Sequence, residues 1–119
     1  MSYYFEGGRP AAPVAIRFYR TASGRCPYKE WLDSLGNDNL AIIYSRLKRI
    51  RRGLWGDSKY LGGGIYELRF HAGAGHRIYC ARDGDAVVVL LEAGSKKGQS
   101  ADIVKAREFW QDYVRRERI

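Results

Sequence analysis

Between Ile65 and Ala81 the chain reads IYELRFHAGAGHRIYCA, and this stretch restricts the fold more than any other. Glu67, Arg69 and His71 alternate with Tyr66, Leu68 and Phe70. After a run of small residues, Arg77 and Tyr79 alternate with Ile78 and Cys80. A period of two marks strands with one apolar and one polar face. A three-residue connection, Ala72–Ala74, sets Arg69 opposite Arg77, Glu67 opposite Tyr79 and Leu68 opposite Ile78. A four-residue connection would put Arg69 against Ile78 and mix both faces. Since a one-residue slip exchanges the faces, the first register is expected.

The remaining segments build around this hairpin. Residues 1–13 hold Gly7, Gly8, Pro10 and Pro13 and read as a flexible lead-in to a domain over residues 14–119. Val14–Thr21 is a first strand. Cys26-Pro27 opens a short helix that Gly36 stops. Asn37 or Asp38 is placed to cap a second helix with a buried stripe of Leu40, Ile43, Leu47, Ile50 and Leu54. Its opposite face carries Arg46, Lys48, Arg49, Arg51 and Arg52, the pattern of a wet surface. Trp55–Gly64 reads as a permissive loop, and Asp83-Gly84 as a tight turn. Ala86–Ala93 is almost continuously apolar, as a central strand would be. A basic loop, GSKKG, leads to a last helix beginning near Gln99 or Ser100, with Ile103, Ala106, Trp110 and Tyr113 or Val114 on one stripe. The expected fold class is α+β, an antiparallel meander with helices packed on one face. The charged face is then left to solvent or to a ligand.

At 119 residues there is sequence for one core. Lys and Arg number 21 against 13 Asp and Glu, a net charge of +8, which fits a polyanionic partner. Cys26 and Cys80 sit in no CxxC or Cys/His cluster, so neither a metal site nor another cofactor is signalled, and they read as reduced cytoplasmic thiols. No apolar run follows a basic segment at the start, and Ala86–Leu91 is too short to span a bilayer, so neither a signal peptide nor membrane insertion is expected.

The charged strand face carries groups suited to RNA chemistry. Arg69 beside Arg77 would be repulsive unless an anion lay between them, and arginine matches phosphate geometry. Lys59, Lys96 and Lys97 fall where they can reach the same face. Cleaving RNA requires a base for the ribose 2′-hydroxyl, positive charge at the phosphate and an acid for the leaving oxygen. Glu67 is a candidate base. His71 and His76 flank the turn and are candidate acids or bases, since histidine titrates near neutral pH. Tyr79 offers a phenol to stack on a base or donate a hydrogen bond.

Four ordered segments carry a resemblance: YRT..G..PY..WL (Tyr19–Leu32), RL.RI..G..GD.K.LG.GIYELR (Arg46–Arg69), G.G.RIY (Gly73–Tyr79) and LL..G.KK.Q..DI..A...W (Leu90–Trp110). Together they cover about three quarters of the chain. The chain resembles the RelE/ParE superfamily of toxins from type II toxin–antitoxin modules, nearest the HigB-like branch of phage-derived or addiction-module killer proteins. The resemblance implies a RelE-like toxin fold and a metal-independent endoribonuclease, an mRNA interferase that cuts messenger in the ribosomal A site and inhibits translation. Its implied partners are the ribosome, mRNA and a cognate helix-turn-helix antitoxin. It places Arg69, Arg77 and Lys97 on the scissile phosphate. Glu67 stands where RelE has a lysine, and Ile103 where RelE has a tyrosine. The proton-transfer residue therefore stays open among Glu67, His71, His76 and Tyr79. ParE relatives share the fold and bind DNA gyrase without cleaving anything, so a non-enzymatic toxin, or a degenerate one that only binds its antitoxin, is the alternative.

Overall fold

The computed structural model describes residues 13–71 and 75–117. The elements follow in the order β1 (Ala15–Phe18), α1 (Pro27–Asp33), α2 (Asn37–Arg51), β2 (Ser58–Gly62), β3 (Ile65–Arg69), β4 (His76–Asp83), β5 (Val87–Ser95) and α3 (Gln99–Glu117). One turn of 3₁₀-helix, Lys96–Gly98, leads into α3. The expected lead-in lies outside the described residues except for Pro13, as does the Ala72–Ala74 connection.

The α+β class is as expected, and so is the hairpin register. Arg69 lies opposite Arg77, Glu67 opposite Tyr79 and Leu68 opposite Ile78. The strands form one sheet in the order β1-β5-β4-β3-β2. Strands β2 to β5 are an antiparallel meander. The first strand departs from it: β1 runs parallel to β5, Ala15 beside Val87. Parallel pairing demands a long crossover, and α1, α2 and the three strands after them supply it.

Two further particulars differ from the sequence reading. Trp55–Gly64 is not a loop throughout: Ser58–Gly62 is the edge strand β2, and positive φ values in this stretch are confined to Gly56 before it and to Gly62–Gly64 at the turn into β3. Gly64 has φ +88°, and a Cβ there would lie 2.8 Å from the indole nitrogen of Trp110, so a side chain is excluded twice over. The helices also do not share one face. Leu32, Ile43, Leu47 and Ile50 from α1 and α2 bury Leu68, Ile78, Cys80, Val88 and Leu90 on one side of the sheet. On the other side, Ala106 and Tyr113 of α3, with Ile103, Phe109 and Trp110, bury Ile65, Tyr79, Ala81, Val89 and Leu91. The charged strand face is therefore not open along its length, because α3 covers most of it.

Helix α3 is fixed at its middle and near its C-terminal end. The Arg107 guanidinium donates to the carbonyls of Gly62 and Leu61, each at 2.9 Å. Near the C-terminus the Tyr19 hydroxyl donates to Asp112 at 2.6 Å, and Arg116 donates to the same carboxylate. Cys26 and Cys80 are both free and buried, and burial pushes the Cys80 thiol up to about 12, which leaves it unreactive. Among the described residues no helix is long and apolar enough to cross a membrane.

Candidate nucleic-acid interface

The side chains singled out in the sequence divide into four groups. Glu67, Arg77 and Tyr79 are together, and they are buried beneath the start of α3. Glu67 is 1 % exposed and Tyr79 wholly buried. Gln99, the first residue of α3, donates from Nε2 to Glu67 Oε2 at 2.6 Å. Arg77 Nε lies 3.9 Å from Glu67 Oε1, and its Nη1 donates to the carbonyls of Gly75 and His76. Among the described residues the Tyr79 hydroxyl has no hydrogen-bond partner. Burial pushes its pKa upward and the nearby Glu67 and Asp102 carboxylates push it further, so this phenol stays protonated. A Cβ on Gly94, opposite Arg77 on β5, would come 2.0 Å from Asp102 Oδ2, so only glycine lets α3 approach this closely. Burial also raises the Asp102 carboxyl.

Arg69 and His71 form the second group, and sequence reasoning missed the residue that joins them. Asp57, just before β2, accepts from Arg69 Nη2 at 3.1 Å and Nε at 3.3 Å through Oδ1, while Oδ2 is hydrogen-bonded to His71 Nε2. Burial acts to raise the Asp57 carboxyl, but the hydrogen bonds from His71 and Arg69 outweigh it and hold the group below the usual carboxylate range. No spacing in the sequence signals this. Only the pairing of β2 with β3 brings position 57 beside Arg69. Arg69 and Arg77, though opposite on the ladder, are each drawn to a separate carboxylate, so their pairing does not depend on a bound anion.

A second residue missed in the sequence holds this corner. Arg46, expected on a wet helix face, is 6 % exposed. Its guanidinium donates to the carbonyls of Trp55, Asp57 and Arg69 at 3.1, 2.6 and 2.8 Å and lies over the Phe70 ring. It thus ties α2 to both strands that carry the Asp57 cluster. An open cleft of about 400 Å³ forms there, lined by Arg46, Arg49, Asp57, Arg69 and His71 with Ile42, Leu54 and Phe70.

His76 is on the opposite sheet face, as its register requires. It is buried, edge-on to the Trp31 ring, with Nε2 3.2 Å from Asn39 Oδ1. The lysines are exposed: Lys59 at the β2 edge opposite Glu67, and Lys96 and Lys97 just past Ser95, which pairs with His76. The end of the sheet where β3 stops and β4 starts is thus lined with Arg69, His71, Arg77, Lys96 and Lys97. Among the described residues no three His, Cys, Asp or Glu side chains converge to hold a metal ion.

Residues 30–109 match the family model of the phage-derived Gp49-like proteins (DUF891). The chain belongs to this family. Its members are addiction-module killer proteins related to toxins, and membership points to a toxin of a toxin–antitoxin module with an antitoxin as partner. The chain is also 37 % identical over 86 residues to an uncharacterized protein of Haemophilus influenzae, covering 71 % of this chain and 87 % of that one.

Proposed function

We propose that this Gp49-like protein is a cytoplasmic RelE/HigB-like toxin that arrests translation by cleaving ribosome-bound mRNA, held in check by a helix-turn-helix antitoxin. The observation that carries this reading is the Asp57–His71–Arg69 cluster at a basic cleft. Of the four candidates for proton transfer, Glu67 and Tyr79 lie under α3 and His76 lies on the other face. His71 is the accessible one, with 79 % of its side chain exposed. Asp57 holds the ring through Nε2, which leaves Nδ1 as the nitrogen to take a proton.

In this reading His71 removes the proton of a ribose 2′-hydroxyl. The 2′-oxygen attacks the adjacent phosphorus, and the bond to the 5′-oxygen breaks. The 5′-oxygen takes a proton from water, leaving a 2′,3′-cyclic phosphate and a 5′-hydroxyl. Arg69 stabilises the added charge on the phosphoryl oxygens, and Lys96, Lys97 and Lys59 hold the flanking backbone. Arg77, packed against Glu67, braces the strand end and lends charge from behind. The test is to map cleavage ends on messenger bound to purified ribosomes, with the wild-type chain and with His71→Ala. Cuts that vanish in the variant support the reading. DNA damage with intact messenger on induction, the outcome for a gyrase-binding toxin, overturns it.

A further inference from the structure

Strand β1 accompanies β5 only from Val87 to Leu90. The last contact is the Tyr19 N–H donating to the Leu90 carbonyl at 3.0 Å. From Leu91 to Ser95 the outer edge of β5 has no neighbouring strand among the described residues. Helix α1 flanks this edge on one side of the sheet and α3 on the other. Between them lies a cleft of about 480 Å³ with Trp31 and Phe109 on its walls and Glu92 on its floor. The Ala93 N–H donates to the carboxylate of its own neighbour, Glu92 Oε1, at 3.0 Å. A side chain here takes the place that a strand carbonyl fills elsewhere on the sheet.

The charge of this cleft runs against that of the molecule. Glu30, Glu92 and Glu108 line it, with Arg25 and Lys105. Arg25 is engaged by Glu30 through two bonds of 2.9 and 2.6 Å, leaving Glu92 and Glu108 against Lys105. On a chain of net charge +8 the cleft is locally acidic, which disfavours RNA and complements a cation. Burial raises the Glu92 carboxyl above its ordinary range, so an arriving positive charge would relieve it. The two aromatic walls suit the same kind of guest.

We infer that the β5 edge is a docking groove for an extended basic segment of a partner protein, which adds as a strand beside Leu91–Ser95 and seats a lysine or arginine between Trp31, Phe109 and the carboxylates of Glu92 and Glu108. Main-chain pairing supplies affinity in this mode, and the pocket for one side chain supplies specificity. The groove uses no residue of the RNA-cleaving reading and stands or falls without it.

The probe is a capped pentapeptide, Thr-Val-Arg-Val-Thr, titrated into the full ¹⁵N-labelled chain, with Thr-Val-Glu-Val-Thr as control. The expected result is amide shifts centred on Ala93 and Gly94 and slower exchange of the Ala93 amide. The control peptide, and the exposed charge reversal Glu108→Lys, should each weaken binding about tenfold or more. Glu108→Lys should melt as the wild type does, so lost binding cannot be put down to lost fold. Equal binding of the two peptides, shifts confined to Ala15–Phe18, or no binding at millimolar peptide each overturns the inference.

Discussion

The same strand face carries two acid–base clusters that differ in almost every physical respect. Under α3, Glu67, Arg77 and Tyr79 are buried and joined to Gln99. A few residues along, at the end of the hairpin, Asp57, Arg69 and His71 meet at an open cleft. In the sequence both read as polar positions on an alternating strand. One helix separates them: it makes the first cluster part of the protein's interior and leaves the second facing solvent. The lesson is that strand periodicity identifies the face of a sheet, and the covering layer decides which part of that face can do chemistry.

The sharpest way to break this contrast is to exchange the roles of the two clusters. Replacing His71 with alanine should slow ribosome-dependent mRNA cleavage by about 10²–10⁴-fold, the usual contribution of a general base. The Tm should change little, since the ring is largely exposed. A Glu67→Ala chain that folds but cuts no messenger, alongside an active His71→Ala, would reverse the assignment. Arg46 tests the support beneath the open cluster. Arg46→Ala removes a guanidinium bonded to three carbonyls and should cost about 3 kcal/mol or more in urea unfolding. A stable Arg46→Ala protein would mean that the corner holds together without it.

Within the buried cluster, two substitutions should separate clearly. Glu67→Ala deprives Gln99 of its acceptor and Arg77 of its ion-pair partner and should destabilise by about 1–3 kcal/mol. Tyr79→Phe deletes a buried hydroxyl that has no partner among the described residues, so its stability should stay within about 0.5 kcal/mol of the parent or rise. A large loss from Tyr79→Phe would point to a bond that the hydroxyl makes in solution. The smallest expected effect concerns the far end of the covering helix. The Arg116 and Tyr19 hydrogen bonds pull the Asp112 carboxyl from 3.8 down to about 2. Its contribution is therefore present above pH 4 and is lost as the pH falls through about 2. Acid titration of Asp112→Asn should lack that part of the unfolding profile, and an unchanged profile would show that the Asp112 bonds add nothing to the hold on α3.

Much of the scaffold is legible in the residues, and each success has a local cause. The hairpin register follows from alternation, because any slip would expose Leu68 and Ile78. The helices at Pro27 and Asn37 follow from periodicity bounded by proline and glycine. What escapes the sequence is long-range. Ser58–Gly62 reads as a loop because the glycines around it and its polar residues suit a turn, and only its neighbour β3 makes it a strand. The parallel place of β1 and the position of α3 across the charged face depend on topology, to which local pattern is blind. His71 could be named from the sequence only as one of four proton-transfer candidates. Asp57, which distinguishes it, could not be named at all, and Arg46 resembled its solvated neighbours on α2.

The parallel pairing of β1 with β5 has a consequence for the order in which the molecule is finished. Ala15 finds its partner at Val87, and the Arg17 guanidinium reaches a tyrosine 96 residues further on. Contacts so distant along the chain close late and slowly. During synthesis the first strand must wait for Val87–Ser95 to leave the ribosome, and helix α3 emerges after that. An interrupted chain therefore has the hairpin but neither its edge partner nor its cover, and it offers unpaired strand to whatever binds it first. The strand that completes the sheet, Val87–Ser95, thus sets when the first strand can dock and when the edge of the sheet is closed to other strands.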